Sequence, residues 1–147
     1  MSDLRESRSV RRPAMLSIRG LAKAYAGPRQ RTVFRDVDLE LGPGEYVAVM
    51  GESGVGKSTL LNLVAGLDRP DAGTIALDGI ALESLDDDAL TALRRTRMGF
   101  VFQAFHVLPY LSVAENVALP LSLVGVEGDA VAARVARVLA AVGLAER

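Results

Sequence analysis

Apolar and polar residues alternate over Leu16–Arg19 and again over Val37–Leu41, with apolar side chains at 37, 39 and 41. A period of two predicts half-buried strands. Tyr46–Met50 (YVAVM) and Met98–Phe102 (MGFVF) are instead continuous apolar-rich runs, as expected of strands buried on both faces. Gly42-Pro43-Gly44 reads as a turn, and Asp68–Gly73 as a turn cluster. Thr74–Leu77 is a short strand ending at Asp78-Gly79, a hairpin-type pair.

Helical spacing takes over elsewhere. Lys57–Leu67 carries Leu60, Leu61, Val64 and Leu67 on one face. Asp86–Arg97 places acids at its start and Arg94, Arg95 and Arg97 at its end, matching the helix dipole. Ser112–Val117 opens with Ser112 and Glu115 in capping-box spacing, and Pro120 is expected to limit that helix. Asp129–Val142 reads as a helix capped by Asp129, with Val131, Val135, Val138, Leu139 and Val142 on one face and Gly143 as its stop. Strands and helices mixed in this way give an α/β or α+β class.

Composition narrows the chemistry. The chain has 147 residues, half of them hydrophobic and 24% charged, the profile of a compact domain. Seventeen Lys and Arg balance 18 Asp and Glu, so no global basic field for nucleic acid is expected. There is no cysteine and a single histidine, His106, which excludes disulfides, thiol catalysis and a multi-histidine metal site. His106 reads as a surface loop residue. No apolar run approaches the roughly 18 residues of a membrane helix. Residues 1–14 are polar, contain Arg5, Arg8, Arg11 and Arg12, and lack a signal-peptide core. They read as a flexible N-terminal extension, and a reducing, cytoplasmic setting is the default.

Gly51-Glu52-Ser53-Gly54-Val55-Gly56-Lys57-Ser58-Thr59 matches G-x-x-x-x-G-K-[ST], the phosphate-binding loop. Glycines let the backbone curl so that successive N–H groups face one anion. A helix starting at Lys57 points its positive end at the same place. The Lys57 ammonium can reach terminal phosphates, the Ser58 hydroxyl can ligate Mg²⁺, and Thr59 suits an α-phosphate contact. An apolar run precedes the loop and a helical pattern follows it, as the motif requires. The motif alone indicates a nucleotide without indicating which. A GTPase would need Asn-Lys-x-Asp, and neither Lys23 nor Lys57 follows an asparagine.

The form GESGVGKSTLL, the upstream LAKAYAG, the downstream DRPDAGTIALDG and the run MGFVFQ together resemble the ATP-binding cassette family, the ATPase subunits of ABC transporters. AFHVLPYLSVAENVALPL, with its Glu115-Asn116 pair, is similar to the subgroup serving lipoprotein-release and macrolide-export transporters. The resemblance implies an α/β P-loop NTPase fold with an N-terminal antiparallel β subdomain. It implies a nucleotide-binding core over 15–103 and the start of a helical subdomain over 104–147. Tyr25 then corresponds to the aromatic that stacks on adenine, and Gln103 to the Q-loop glutamine, whose amide oxygen can ligate Mg²⁺ or position water. Implied ligands are ATP and Mg²⁺. Implied partners are a transmembrane permease subunit and a second ATP-binding subunit in a head-to-tail dimer, at the cytoplasmic face of the membrane.

The resemblance covers Met15 to the last residue, about the first two-thirds of a cassette. The family's Leu-Ser-Gly-Gly-Gln-type signature, its Asp-Glu strand and its switch histidine have no counterpart here. In that architecture the Asp-Glu strand and its neighbour lie between the YVAVM and MGFVF strands, which are therefore expected to lack sheet partners. Weak ATP binding without turnover follows. The alternative is a naturally short, non-hydrolytic nucleotide-binding or permease-docking module.

Overall fold

The structure, a computed structural model, describes residues 14–27 and 31–145. Four strands and four α-helices follow in the order β1 (Leu16–Tyr25), β2 (Arg31–Leu41), α1 (Lys57–Val64), β3 (Ala72–Leu77), β4 (Ile80–Ala81), α2 (Asp87–Arg97), α3 (Val113–Leu123) and α4 (Asp129–Ala141). The chain divides into two compact units, one up to Met98 and one from Gly99 onward. The arginines of the N-terminal extension lie outside the described residues.

In the first unit the strands form one sheet in the order β2-β1-β3-β4, every pairing antiparallel. β1 buries Leu16 and Ile18, shifts phase at a register irregularity beside Gly20, and then buries Leu21 and Lys23. The alternation carries a lysine onto the core side of the strand. Ile18, Leu21, Leu63 and Ile75 are the largest fully buried side chains among the described residues, and Leu60, Leu77, Leu82, Leu90 and Leu93 close the core around them. The two-residue hairpin at Asp78-Gly79 has both residues at positive φ (49° and 78°), the geometry that lets such a turn follow the twist of its strands.

α1 stops at Val64, short of the expected Leu67. Gly66 takes φ 62°, and Gly66 N and Leu67 N donate back to Leu63 O and Asn62 O at 3.0 and 2.9 Å, a Schellman ending. The helix consequently buries Leu60 and Leu63, and leaves Leu61 and Leu67 exposed. α2 begins as its charge pattern predicts, with Asp86 accepting from Ala89 N at 2.8 Å.

Tyr46–Met50 and the run 98–102 are the main departures from the expected strands. Neither is in the sheet, and Tyr46 and Val101 are almost wholly exposed at 92% and 103%. A run apolar on both faces becomes a strand only with a neighbour on each side. Among the described residues the sheet consists of β1 to β4 alone.

In the second unit α3 and α4 pack together, and Val135 and Leu139 are buried. The capping box at Ser112 and Glu115 is present in both directions. Pro120 does not end α3. The helix runs three residues past it and closes where Gly125 N and Val126 N donate to Ser122 O and Leu121 O. α4 is capped by Gly128 rather than Asp129, which is the first helical residue and carries the acidic charge at the helix head. Gly143 ends α4 as expected, donating to Ala140 O.

Candidate functional site

The segment 51–56 is a turn leading directly into α1. Gly51, Gly54 and Gly56 all have positive φ (148°, 78° and 117°), so the three glycines of the motif are the points where the chain reverses. Val55 N turns back toward Glu52 O at 3.4 Å. The Lys57 side chain spans the loop, and its ammonium donates to Gly51 O and Glu52 O, each at 2.7 Å. The loop is thus curled around a fixed cation.

Gly56 offers no capping side chain to α1, and the first turn of the helix holds no acidic residue. The leading N–H groups of α1 are free of an internal carboxylate and point where an anion is favoured. Ser58 is exposed beside them and Thr59 is half-buried. Glu52, Ser53 and Val55 are exposed along the curl. An anionic ligand with several oxygens fits this donor set, and a hard divalent cation fits the Ser58 hydroxyl.

Two supports of the loop were not legible as site residues. Gly56 packs on β2, where Val33 and Phe34 lie against it. Arg31 donates from its guanidinium to Gly54 O. Arg31 also pairs in register with Tyr25 across β1 and β2. The sheet end therefore brings Tyr25 and the crest of the loop to the same region, which their 26-residue separation from Tyr25 to Gly51 does not reveal.

Tyr25 is 42% exposed. Its hydroxyl donates to Asp68 Oδ2 at 2.8 Å. Asp68 Oδ1 accepts from the Lys23 ammonium at 2.7 Å, and Lys23 also donates to Arg69 O at 2.7 Å. Hydrogen bonding to Lys23 holds the Asp68 carboxyl below its ordinary range, aided by the Tyr25 hydroxyl and Arg69 N and opposed by burial. The bond to Asp68 raises Lys23 in turn.

Gln103 belongs to the second unit, exposed on a bend after the extended run. Phe100 and Phe102 stack before it at 5.8 Å, and His106 meets Phe102 edge-on at 4.8 Å. Asn116 fastens the following loop. Its Oδ1 accepts from Leu108 N at 2.8 Å, and its Nδ2 donates toward Leu108 O, Leu111 O and Ser112 O. A cavity of about 240 Å³ in the first unit is lined by Leu63, Gly66, Pro70, Leu82 and Leu90 among others, and by no residue of the loop.

Residues 34–147 match the family model described as ABC transporter. The chain belongs to the ABC transporter family. It is 44% identical over 133 residues to the macrolide export ATP-binding/permease protein MacB of Rhodopseudomonas palustris strain HaA2, covering 90% of this chain and 20% of that protein. It is 42% identical over 135 residues to MacB 1 of Yersinia pestis bv. Antiqua strain Antiqua, covering 91% of this chain and 21% of that protein. A solved ATP-binding cassette, dimeric in a post-hydrolysis state with ADP and Pi bound, superposes with a TM-score of 0.77 at 39% identity. That match covers 85% of this chain and 56% of the cassette. The chain thus spans about a fifth of the length of these curated relatives and about half of the solved cassette. It has the mixed α/β architecture of an ABC ATPase, represented by its antiparallel sheet and helices.

Proposed function

We propose that this chain binds ATP with Mg²⁺ through Gly51–Thr59, as the nucleotide-binding part of a cassette that couples ATP to transport by a membrane permease. The observation that carries the reading is the Lys57 ammonium held across the curled loop on Gly51 O and Glu52 O. Those carbonyls keep the cation in place until a polyphosphate offers stronger, charged acceptors. The backbone of Gly51 through Gly56 and the leading amides of α1 hold the phosphates, the Tyr25 ring receives the base, and Thr59 reaches the α-phosphate. Ser58 Oγ would hold the metal, and Gln103, in the second unit, is assigned as a metal-ligating Q-loop glutamine by family resemblance alone. Mg²⁺ bound there would offset charge on the phosphate oxygens.

Hydrolysis needs a carboxylate to orient water. These 147 residues supply no Asp-Glu strand and no Leu-Ser-Gly-Gly-Gln-type segment. Residues 1–147 by themselves are therefore expected to bind ATP without turning it over. The names of the relatives join ATP binding to a permease, and the solved cassette is dimeric. The first supports partnership with a transmembrane permease and the second partnership with another ATP-binding subunit; the cytoplasmic face of the membrane is the setting that the family resemblance implies. Among the described residues no helix is long and apolar enough to cross a membrane. No role for nucleic acid is proposed.

The test is calorimetric ATP binding by the wild-type chain and by Lys57→Ala, with phosphate release followed in parallel. Loss of binding by about 10-fold or more in the variant, as expected for a charge-assisted contact, with no release in either, is the expected result. Equal binding by both proteins would remove the loop from the site, and rapid release by wild type would contradict the separation of binding from turnover.

A further inference from the structure

Lys23 sits on the core side of β1 and is only 7% exposed. A buried ammonium is retained only with partners that compensate its lost hydration. It has two, Asp68 Oδ1 and Arg69 O, both at 2.7 Å. The second oxygen of Asp68 is not spent on the lysine. It accepts from the Tyr25 hydroxyl at 2.8 Å. The same ammonium lies 5.1 Å from the centroid of the Tyr25 ring, within range of a cation–π attraction. Two further bonds fix the backbone beside it: Ala24 N donates to Asp71 Oδ2 at 2.7 Å, and Asp71 N to Ala22 O at 3.0 Å.

Tyr25 is therefore gripped at its far end and attracted along its ring by one buried ion pair, while 42% of its surface stays exposed. A tyrosine at a strand end, followed by a loop, otherwise has two free torsions. Here the partner of its hydroxyl lies just beyond the C-terminal end of α1, the helix that the phosphate loop opens. We infer that Lys23 and Asp68 are positioning residues that pre-orient the Tyr25 ring as the platform for the nucleotide base. This rests on the reading of Tyr25 as the base platform. The pair links the base end of the site to the far end of the phosphate-loop helix, so the base and phosphate subsites are set by one rigid connection. Preorganisation of this kind raises affinity by removing the ordering cost at binding. It acts only on ligands that carry a base.

That restriction gives the test. Binding of ATP and of inorganic tripolyphosphate is measured by calorimetry for the full chain and three variants, and the ratio of the two affinities is compared. Tyr25→Phe keeps the ring and the buried ion pair but removes the anchored hydroxyl. Lys23→Met combined with Asp68→Ala removes the pair together, leaving no unpaired buried charge. Tyr25→Ala removes the platform. Tyr25→Phe is expected to weaken ATP about 3- to 10-fold, the worth of one hydrogen bond, and the double variant to do the same. Tyr25→Ala is expected to weaken it about 5- to 100-fold, the worth of base stacking. Tripolyphosphate binding stays unchanged throughout, which a general loss of structure would not allow. If Tyr25→Ala weakens ATP selectively while Tyr25→Phe and the double variant match wild type, the positioning role is overturned and the platform stands. If Tyr25→Ala leaves the ratio unchanged, the platform reading itself fails and the positioning role with it.

Discussion

Gly56 approaches Val33 so closely that a Cβ built on the glycine would lie 2.4 Å from Val33 Cγ1, with Phe34 Cζ at 3.0 Å. The residue also sits at φ 117°, a region L side chains rarely adopt. The 51–56 loop is therefore shaped by β2 as well as by its own glycines. Gly56→Ala meets both obstacles at once, backbone strain and a side chain with nowhere to go. The expected cost is about 2 kcal/mol or more, read as a lower urea midpoint, with loss of ATP binding in the fraction that remains folded. An unchanged midpoint would mean that the loop does not pack on β2 in solution.

Arg31, on the same strand, also touches the loop, through Gly54 O. Arg31→Ala removes that tether without touching the glycines or Lys57. Because the tether holds only the crest of the loop, ATP and inorganic tripolyphosphate should weaken together, by about 2- to 10-fold. A selective effect on ATP alone would place Arg31 in the base subsite. Calorimetry with the two ligands separates these outcomes.

Most of the loop was legible in the sequence, because its chemistry is local. The glycines, Lys57 and the helix they open follow one another in the chain, and the positive φ at 51, 54 and 56 is what their spacing demands. Parts of β1, β2 and β3 and the Asp78-Gly79 hairpin were legible for the same reason, whereas their antiparallel arrangement came only from the family resemblance. Lys23 and Arg31 were not, because their roles depend on partners 45 and 23 residues away. Lys23 in particular sits among Ala22, Ala24 and Tyr25 with nothing local to mark it as buried; the phase shift at Gly20 turns it inward. Tyr46–Met50 failed in the opposite sense. Its composition is that of a strand, but composition cannot provide the neighbouring strands that pairing requires. Pro120 was read as a helix limit, yet the closing bonds of α3 come from Val124, Gly125 and Val126, all beyond it.

Asn116 was legible only through family resemblance, and the structure supplies its physical role. One amide satisfies the N–H and C=O of Leu108 and also reaches the carbonyls of Leu111 and Ser112. Asn116→Ala removes all of these while leaving the Ser112–Glu115 capping box intact. Amide exchange at Leu108 is expected to accelerate about 10-fold, a loss of roughly 1.4 kcal/mol of local protection. Protection within α3 should change little, since its cap is independent. Unchanged exchange at Leu108 would show that the loop is held by its own turn, Leu111 N to Leu108 O at 3.1 Å.

The Lys23–Asp68 pair also sets how stability responds to pH. The Asp68 carboxyl is held below its ordinary value of 3.8, first by the hydrogen bond from Lys23 and then by those from Tyr25 and Arg69 N, against the cost of burial. A carboxyl depressed in the folded state contributes stability that is complete above its unfolded value and is lost as pH falls through the folded one. Lys23 is raised above 10.5 by the bond to Asp68 and by the nearby charges of Asp68 and Asp71, again against burial. Its contribution is complete below that value and is lost as pH rises through the folded one. The pair's share of stability is therefore flat across the neutral range, and it falls in strong acid and strong base. Urea midpoints measured from neutral pH down into the acid should show a steeper decline for wild type than for Lys23→Met combined with Asp68→Ala, which has no such pair to titrate. Parallel declines would mean that other carboxylates govern the acid limb and that the Asp68 carboxyl is not depressed.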